Sequence, residues 1–184
     1  MPMGMYSLYL EKERNKSEQL LHNIMPKTIA DRLKKTNETI SIDNPEISVL
    51  FADIVNFTVM SEKLSAENIV GFLDDMFSKF DELTEQYEVE KIKTIGDAYM
   101  VVTGLTSENR SHAAILFEFG QELLKIASNY KDHKGEPITL RIGINSGPAV
   151  SGVIGKSKFS FDIWGDTINT CLLYTSDAAD DFTS

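Results

Sequence analysis

Residues 91–102 read KIKTIGDAYMVV, the stretch that decides the fold. Two runs of strand-forming residues flank one Gly-Asp pair, which is typical of a two-residue β-hairpin, and Gly96 takes the position where a type II′ turn needs a positive φ. Asp97 is therefore expected at the hairpin tip. Lys93 is up to about 13 Å from it at roughly 3.3 Å per residue, so the lysine is not its counter-ion. Lys91 and Lys93 are expected on the same face of the strand.

The segments before the hairpin predict a buried strand followed by a long helix. Residues 47–53, ISVLFAD, form an apolar run of strand length that ends on the carboxylate of Asp53. Apolar residues then recur every three to four positions, which predicts an amphipathic helix that starts at a cap on Ser65 and ends near Tyr87.

The segments after the hairpin predict a second helix over about 108–130 and an alternating strand over 138–145. SGP at 146–148 is expected to turn that strand into a second hairpin. The order of strand, helix, hairpin, helix and hairpin predicts an α/β chain of the α+β sandwich type, with helices on one face of a mainly antiparallel sheet.

Residues 1–39 are expected to form a linker or signalling helix, with Pro26 suited to opening a second helix after a break. Two interpretations are equally open. The helix packs on the domain that follows, or it belongs to a coiled-coil linker of a longer protein.

Composition excludes several classes of protein. The net charge of −10 repels polyanions, so nucleic acid is not expected as a partner. No apolar run approaches a membrane span, and the first residues are too short and too uncharged for a signal peptide. The single cysteine, Cys171, excludes an internal disulfide and a cysteine zinc site, which fits a reducing cytoplasmic setting.

Asp53 and Asp97 are the candidate metal ligands. Each ends or begins a predicted strand, and carboxylates delivered by neighbouring strands are the hard oxygen ligands that one or two magnesium ions require. Either residue alone fits an ordinary turn aspartate better, because Asp is common in turns. The pair gains weight only from the rest of the sequence.

Four blocks of the sequence occur in the order of a known family. They read FADIVNFT, KIKTIGDAYMVV, RIGINSGPAVSGVIG and FDIWGDTIN. They closely resemble the blocks of the class III nucleotidyl cyclase catalytic domain over residues 40–170. The resemblance implies a ferredoxin-like core and active sites between two subunits packed head to tail, in a homodimer or a cyclase heterodimer. It also implies upstream sensor modules in a parent protein, whose membrane attachment is left open.

The resemblance assigns roles to the metal and phosphate residues. Asp53 and Asp97 match the two metal-binding aspartates of the family, with the carbonyl of Ile54 as a further ligand, and two Mg²⁺ or Mn²⁺ ions are implied for each active site. The family's triphosphate-binding loop matches three residues here: Asn56, Phe57 and Thr58. The family more often has glycine in place of Asn56, and both residues tolerate positive φ.

The resemblance also assigns the base and ribose contacts. Lys93 and Asp162 match the two purine-reading positions, and an ammonium with a carboxylate complements adenine, whereas guanine needs an acidic and a neutral group. Asn169 matches the asparagine that orients the ribose. Lys93 and Asp97 are then expected to serve different active sites, one on each side of a dimer.

The sequence departs from the family after residue 170. Leu173 stands where the family has an arginine that steadies phosphate charge in the transition state, and residues 171–184 are interpreted as a non-native or disordered tail on a truncated domain. The expected function is an adenylyl cyclase that forms 3′,5′-cyclic AMP and pyrophosphate from ATP, with this chain weakly active or inactive alone. The alternatives are a guanylyl cyclase and a catalytically inactive regulatory module.

Overall fold

The structure is a computed structural model that describes residues 3–35, 40–105, 111–155 and 158–175. Within those ranges the elements follow one another along the chain in this order: α1 Met3–His22, α2 Lys27–Leu33, β1 Ile40–Ile54, α3 Phe57–Ser61, α4 Ala66–Tyr87, β2 Glu90–Ile95, β3 Ala98–Thr103, α5 His112–Ser128, β4 Leu140–Ile154, β5 Ser160–Trp164 and α6 Asp166–Thr175. None of the helices in the described ranges is long and apolar enough to cross a membrane.

The chain forms two compact units. One comprises Met1–Ile42 and Ser151–Asp162, and the other comprises Asp43–Val150 and Ile163–Ser184. The first unit contains α1 and α2, which the sequence predicted on either side of Pro26, and Pro26 is the residue that precedes α2. The role of residues 1–39 as a linker stays a prediction, as do the domain boundaries at 40 and 170.

The strands form one five-stranded sheet in the order β2-β3-β1-β4-β5. Strand β3 pairs antiparallel with both β1 and β2. The elements β1, α4, β2, β3, α5 and β4 follow one another as in the βαββαβ ferredoxin-like arrangement. The α+β class with an antiparallel sheet, predicted from the sequence, is confirmed.

The core of the larger unit lies between the sheet and the pair α4 and α5. Leu50 and Tyr99 from the sheet are fully buried with Met76, Phe80 and Phe119 from the helices. Burial of side chains of this size contributes about 1.5–3 kcal/mol each. Because side chains alternate along a strand, Leu50 and Tyr99 identify the sheet face that α4 and α5 cover.

The predicted boundaries of α4 are confirmed. The hydroxyl oxygen of Ser65 accepts a hydrogen bond from the backbone N–H of Asn68 at 3.3 Å, and the helix ends at Tyr87. The second predicted helix is found as α5, and residues 106–110 before it lie outside the described residues. Strand β1 begins at Ile40, earlier than the apolar run indicated.

The predicted second hairpin is wrong, because β4 runs without a turn from Leu140 to Ile154. Glycine is needed at position 147 for a different reason. A Cβ on Gly147 would lie 2.7 Å from Oγ1 of Thr167, whose hydroxyl donates to the carbonyl of Pro148 at 2.7 Å. Gly147 therefore admits α6 against β4 instead of reversing the chain.

Helix α6 packs on the sheet face opposite to α4 and α5, here called the α6 face. A Cβ on Gly120 of α5 would touch Ile142, whereas a Cβ on the next residue of β4, Gly143, would overlap Oγ1 of Thr175 in α6. Successive strand residues point to opposite faces. The interpretation of residues 171–184 as a disordered tail is wrong for residues 171–175, because they belong to α6, where Cys171 and Thr175 are buried. Residues 176–184 lie outside the described residues.

Both ends of α6 are tied to β4. The side-chain amide of Asn145 donates to the carbonyl of Thr167 at 3.0 Å, and the guanidinium of Arg141 donates to the carbonyl of Thr175 at 3.3 Å. A cation at a helix C-terminus is favourable. Arg141 is accordingly half-buried against α6.

We predict that Gly143→Ala lowers the free energy of unfolding by about 1–3 kcal/mol, because the added methyl group overpacks the contact with Thr175. Urea unfolding followed by circular dichroism measures the change. Gly71→Ala is the matched control, because no atom lies within 4 Å of a Cβ there and alanine stabilises a helix interior by about 0.5–1 kcal/mol. A Gly143→Ala protein as stable as the parent would contradict the docking of α6 on β4.

Candidate active site

The β2–β3 hairpin places Asp97 in its turn. Ile95 pairs with Ala98, so the turn has the two residues that the sequence predicted. Gly96 has φ +61°, and Asp97 is not among the residues with positive φ, which is the pattern of a type II′ turn. The turn prediction is confirmed, and the half-buried side chain of Asp97 projects from the tip rather than from a strand.

Asp53 is the second-last residue of β1 and lies beside that turn. The β1–β3 register pairs Ala52 with Tyr99, so the next step places Asp53 opposite Ala98, the neighbour of Asp97. Neighbouring strands are about 4.8 Å apart. Asp53 is 8% exposed, and it alternates with Ala52 and Ile54, which face α4 and α5. Its side chain is therefore on the α6 face, and the two predicted metal ligands come from adjoining positions of one sheet.

The segment after Asp53 bends sharply into α3. Asn56 has φ 60° and ψ 26°, the left-handed conformation that its residue type suggested. The side chain of Phe57 packs on the core, while Thr58 is exposed. The first turn of any helix has N–H groups that the helix itself does not bond. All three predicted triphosphate residues thus follow Asp53 within five positions along the chain.

Lys93 lies on the α6 face because β2 contains a β-bulge. Lys91 pairs with Val101, but Lys93 pairs with the adjacent Met100, so Ile92 is the extra residue. Residues directly opposite in an antiparallel pair share a face. Lys91 therefore faces α4 with Val101, and Lys93 faces the other way with Met100. The expectation that the two lysines share a face is wrong, because a bulge shifts the alternation by one residue.

The contacts of Lys91 confirm its direction. Its Nζ lies 2.7 Å from each carboxylate oxygen of Asp81, which belongs to α4. The hydroxyl of Tyr99 donates to the same carboxylate. Sequence reasoning missed this cluster, since only the bulge, a feature of pairing, brings Lys91 to α4.

The two remaining predicted site residues lie on other elements. Asp162 is half-buried on β5 and lies between the buried residues Phe161 and Ile163. Asp162 belongs to the smaller unit. Asn169 is exposed on α6, and Leu173 follows it one helical turn later with 52% of its surface exposed. Residues four apart share a helix face. The larger unit thus holds Asp53, Asp97 and Lys93 together with Asn169.

The donor set fits a divalent cation of the magnesium class. In the described part of the chain, no three His, Cys, Asp or Glu side chains are grouped to hold a metal ion by themselves. Two carboxylates and a backbone carbonyl leave ligand positions for water and phosphate oxygens, which is how Mg²⁺ binds in nucleotide-dependent sites.

Comparison with known proteins identifies a family. Residues 41–181 match the adenylate and guanylate cyclase catalytic domain. An adenylate cyclase of Mycobacterium tuberculosis is 44% identical over 161 residues, which are 87% of this chain and 36% of that protein. Guanylate cyclase 2D of Rattus norvegicus is 38% identical over 164 residues, which are 88% of this chain and 15% of that protein. The chain thus spans about a third or less of these relatives.

Solved structures show the same fold. The guanylate cyclase domain of RhGC from Catenaria anguillulae, solved in complex with GTP, is 34% identical to this chain. The match covers 74% of this chain and 75% of that one, with a TM-score of 0.68.

We predict that Asn56→Gly changes the free energy of unfolding by less than about 1 kcal/mol, because glycine accepts positive φ but loses more entropy on folding. Asn56→Val should cost about 1–2 kcal/mol or more, because a β-branched residue is strained in the left-handed region. Thermal unfolding measures both, with Thr58→Val, two residues away in α3, as the control for an exposed valine. Equal stability of Asn56→Val and Thr58→Val would contradict the left-handed bend beside Asp53.

Proposed function

The chain belongs to the adenylate and guanylate cyclase catalytic domain family, and on that premise we propose that it is the catalytic domain of an adenylyl cyclase. Its reaction is the conversion of ATP to 3′,5′-cyclic AMP and pyrophosphate. The observation that carries the proposal is the position of Asp53 next to the Asp97 turn, with the Asn56 bend beside it.

The choice of adenine rests on Lys93 and Asp162. An ammonium donates to N1 of adenine and a carboxylate accepts from the exocyclic amine, whereas guanine presents the opposite pattern at both places. Mismatched buried polar groups make such a site reject the wrong base by a factor on the order of 10³ or more. The mycobacterial relative named adenylate cyclase supports the same choice, while the rat guanylate cyclase is only slightly less similar.

The metal ligands of this proposal are Asp53, Asp97 and the carbonyl oxygen of Ile54. Two bound Mg²⁺ or Mn²⁺ ions supply Lewis acidity, which lowers the pKa of the ribose 3′-hydroxyl and draws negative charge from the α-phosphate and the leaving pyrophosphate. The two carboxylates bring the charge that holds such ions beside the triphosphate. Backbone N–H groups of the bend from Asn56 to Thr58 hold the phosphate oxygens.

The remaining groups orient the substrate. In the reaction the 3′-oxygen bonds to the α-phosphorus, the bond to pyrophosphate breaks, and the hydroxyl proton leaves to water or to the substrate. Asn169 is assigned to the ribose, where holding the 3′-oxygen near the phosphorus contributes by orientation. No side chain of the site is assigned as a dedicated general base.

We assign Lys93 and Asp97 to different active sites of a head-to-tail dimer, because Lys93 leaves β2 before the strand ends at Ile95, whereas Asp97 lies in the turn. Asp97 of one subunit then holds metal in a site where Lys93 of the other subunit reads the base. The second subunit is an identical chain or a related cyclase chain. Any sensor module of a parent protein acts on this arrangement.

A second candidate function is a catalytically inactive nucleotide-binding or dimer-regulating module. Leu173 favours it, because this residue is exposed on the same helix face as Asn169 and carries no charge for the transition-state phosphate. The two candidates differ in one measurable way, since only the first gains activity when a cation is restored at that position.

We predict that the purified chain forms very little cyclic AMP from ATP with Mn²⁺, and that Leu173→Arg raises the rate by about 10²-fold or more. Chromatographic measurement of cyclic AMP, with GTP and cyclic GMP in parallel, provides the readout. Tyr174→Arg is the matched control, because it places the same charge on an exposed neighbour in α6.

Each other result contradicts a defined part of the proposal. Robust cyclic AMP formation by the unmodified chain refutes the need for the arginine. A Leu173→Arg protein as inactive as Tyr174→Arg supports the regulatory module, and more cyclic GMP than cyclic AMP supports a guanylyl cyclase.

A further inference from the structure

We propose that Asp81, Lys91 and Tyr99 form an anchor that fixes the direction in which Lys93 leaves β2, and thereby contributes to the preference for ATP over GTP. The inference rests on the proposed function, in which Lys93 reads adenine. None of the three anchor residues faces the nucleotide, so they are positioning residues. The cluster is called the Asp81 anchor below.

The Asp81 anchor joins three elements at one carboxylate. Asp81 lies on α4, and its two oxygens are each 2.7 Å from Nζ of Lys91 on β2. The hydroxyl of Tyr99 on β3 donates to the same carboxylate. Nζ of Lys91 also lies 5.1 Å from the centre of the Tyr99 ring, within the range of a cation–π contact. Both strands of the hairpin are thus held to one point of the helix.

Tyr99 makes the anchor rigid. Its side chain is fully buried, and its ring centre lies 5.3 Å from those of both Phe77 and Phe80 on α4. Burial, with a smaller effect of the Asp81 carboxylate, raises the pKa of Tyr99 far above its usual value. The hydroxyl therefore stays a neutral donor to Asp81, and the ring cannot turn to offer it elsewhere.

The anchor determines where the two lysines of KIK point. In a regular strand Lys91 and Lys93 would share a face, because they are two positions apart. Lys91 can face α4 while Lys93 lies on the α6 face only if β2 has one residue more than β3 at this point. That extra residue is Ile92. The anchor therefore stabilises the bulge, which bends the strand next to Lys93.

This arrangement matters for base selection. The anchor keeps the ammonium group of Lys91 away from the α6 face. It also fixes the direction of the strand at Lys93, whose ammonium group stays on that face. Without the anchor, β2 can relax to a regular ladder in which Lys91 joins Lys93 on that face. A second, misplaced ammonium would donate to acceptors of either purine, so discrimination is expected to fall.

The chain contains a matched control cluster of the same three residue types. Nζ of Lys79 lies 3.0 Å from Oδ2 of Asp75 and 2.6 Å from the hydroxyl of Tyr130. Tyr130 also donates to Asp75. This cluster joins α4 to the residues after α5 and has no contact with β2 among these bonds. Its loss tests the general effect of removing a Lys–Asp–Tyr cluster.

The test measures affinity, so it does not depend on turnover by this chain. Displacement of a fluorescent N-methylanthraniloyl-ATP by ATP and by GTP, with Mn²⁺ present, gives the ratio of the two affinities. We expect Tyr99→Phe and Asp81→Asn to lower the ATP preference by about fivefold, the factor that one typical hydrogen bond represents. Tyr130→Phe and Asp75→Asn should leave the ratio within about twofold, since surface replacements have small effects.

Lys93→Ala separates the two proposals. If it lowers the ratio while Tyr99→Phe and Asp81→Asn match the parent, the anchor inference is overturned and the role of Lys93 stands. If Lys93→Ala leaves the ratio unchanged, base reading by Lys93 is overturned, and the anchor inference falls with it.

A further variant keeps the test valid if Tyr99→Phe does not fold. The side chains of Lys91 and Asp81 are 34% and 45% exposed to solvent. Lys91→Met is therefore expected to fold, and it should lower the ATP-to-GTP affinity ratio as Asp81→Asn does. Hydrogen exchange of the β2 amides gives a second readout, with faster exchange at Ile92 in the anchor variants than in Tyr130→Phe. Unchanged exchange and an unchanged ratio in Lys91→Met would overturn the inference.

Discussion

The structure depends on one constraint: an acidic residue near the end of one strand lies next to a second acidic residue in the turn of the neighbouring hairpin. Asp53 is the second-last residue of β1 with only 8% of its surface exposed, and Asp97 occupies the turn of the neighbouring hairpin. Two carboxylates that share a site repel each other, and a bound cation offsets that repulsion. The proposed divalent metal site uses these two carboxylates, and the left-handed bend at Asn56 follows Asp53 by three residues.

One face of the sheet forms the hydrophobic core, and the other face carries the candidate site residues. One face of the larger unit is a conventional core under α4 and α5, where Tyr99 packs on Phe77 and Phe80. The α6 face presents Asp53 and Lys93, together with the helix that carries Asn169. The β2–β3 hairpin links the two faces, because its turn holds Asp97 while its bulge sends Lys91 to the core side and Lys93 to the other. In the proposed function, these positions all serve the binding and conversion of the nucleotide.

Local chemistry made part of the fold predictable. The Gly-Asp turn, the Ser65 cap and the left-handed Asn56 each follow from the preference of a single residue in its own segment. The second hairpin was predicted wrongly because Gly147 was interpreted as a turn residue. Glycine is needed there for another reason, since a Cβ would come too close to Thr167, twenty positions later in the chain. The bulge at Ile92 could not be predicted, because the letters KIK are typical of a regular strand with both lysines on one face. The bulge depends on the pairing with β3 and on the ion pair between Lys91 and Asp81. The adjacency of Asp53 and Asp97 could be predicted from strand order, whereas the direction of Lys93 could not.

Binding of Mn²⁺ to the chain in the presence of ATP, titrated by electron paramagnetic resonance, tests the central claim most directly. Asp53→Asn and Asp97→Asn should each weaken protein-dependent binding by about tenfold or more, the scale seen when a metal site loses one supporting group. Asp43→Asn, an exposed acid on the same strand, should leave it unchanged. Equal binding by all three variants would contradict a metal site between β1 and the hairpin turn, and with it the cyclase mechanism assigned to this chain.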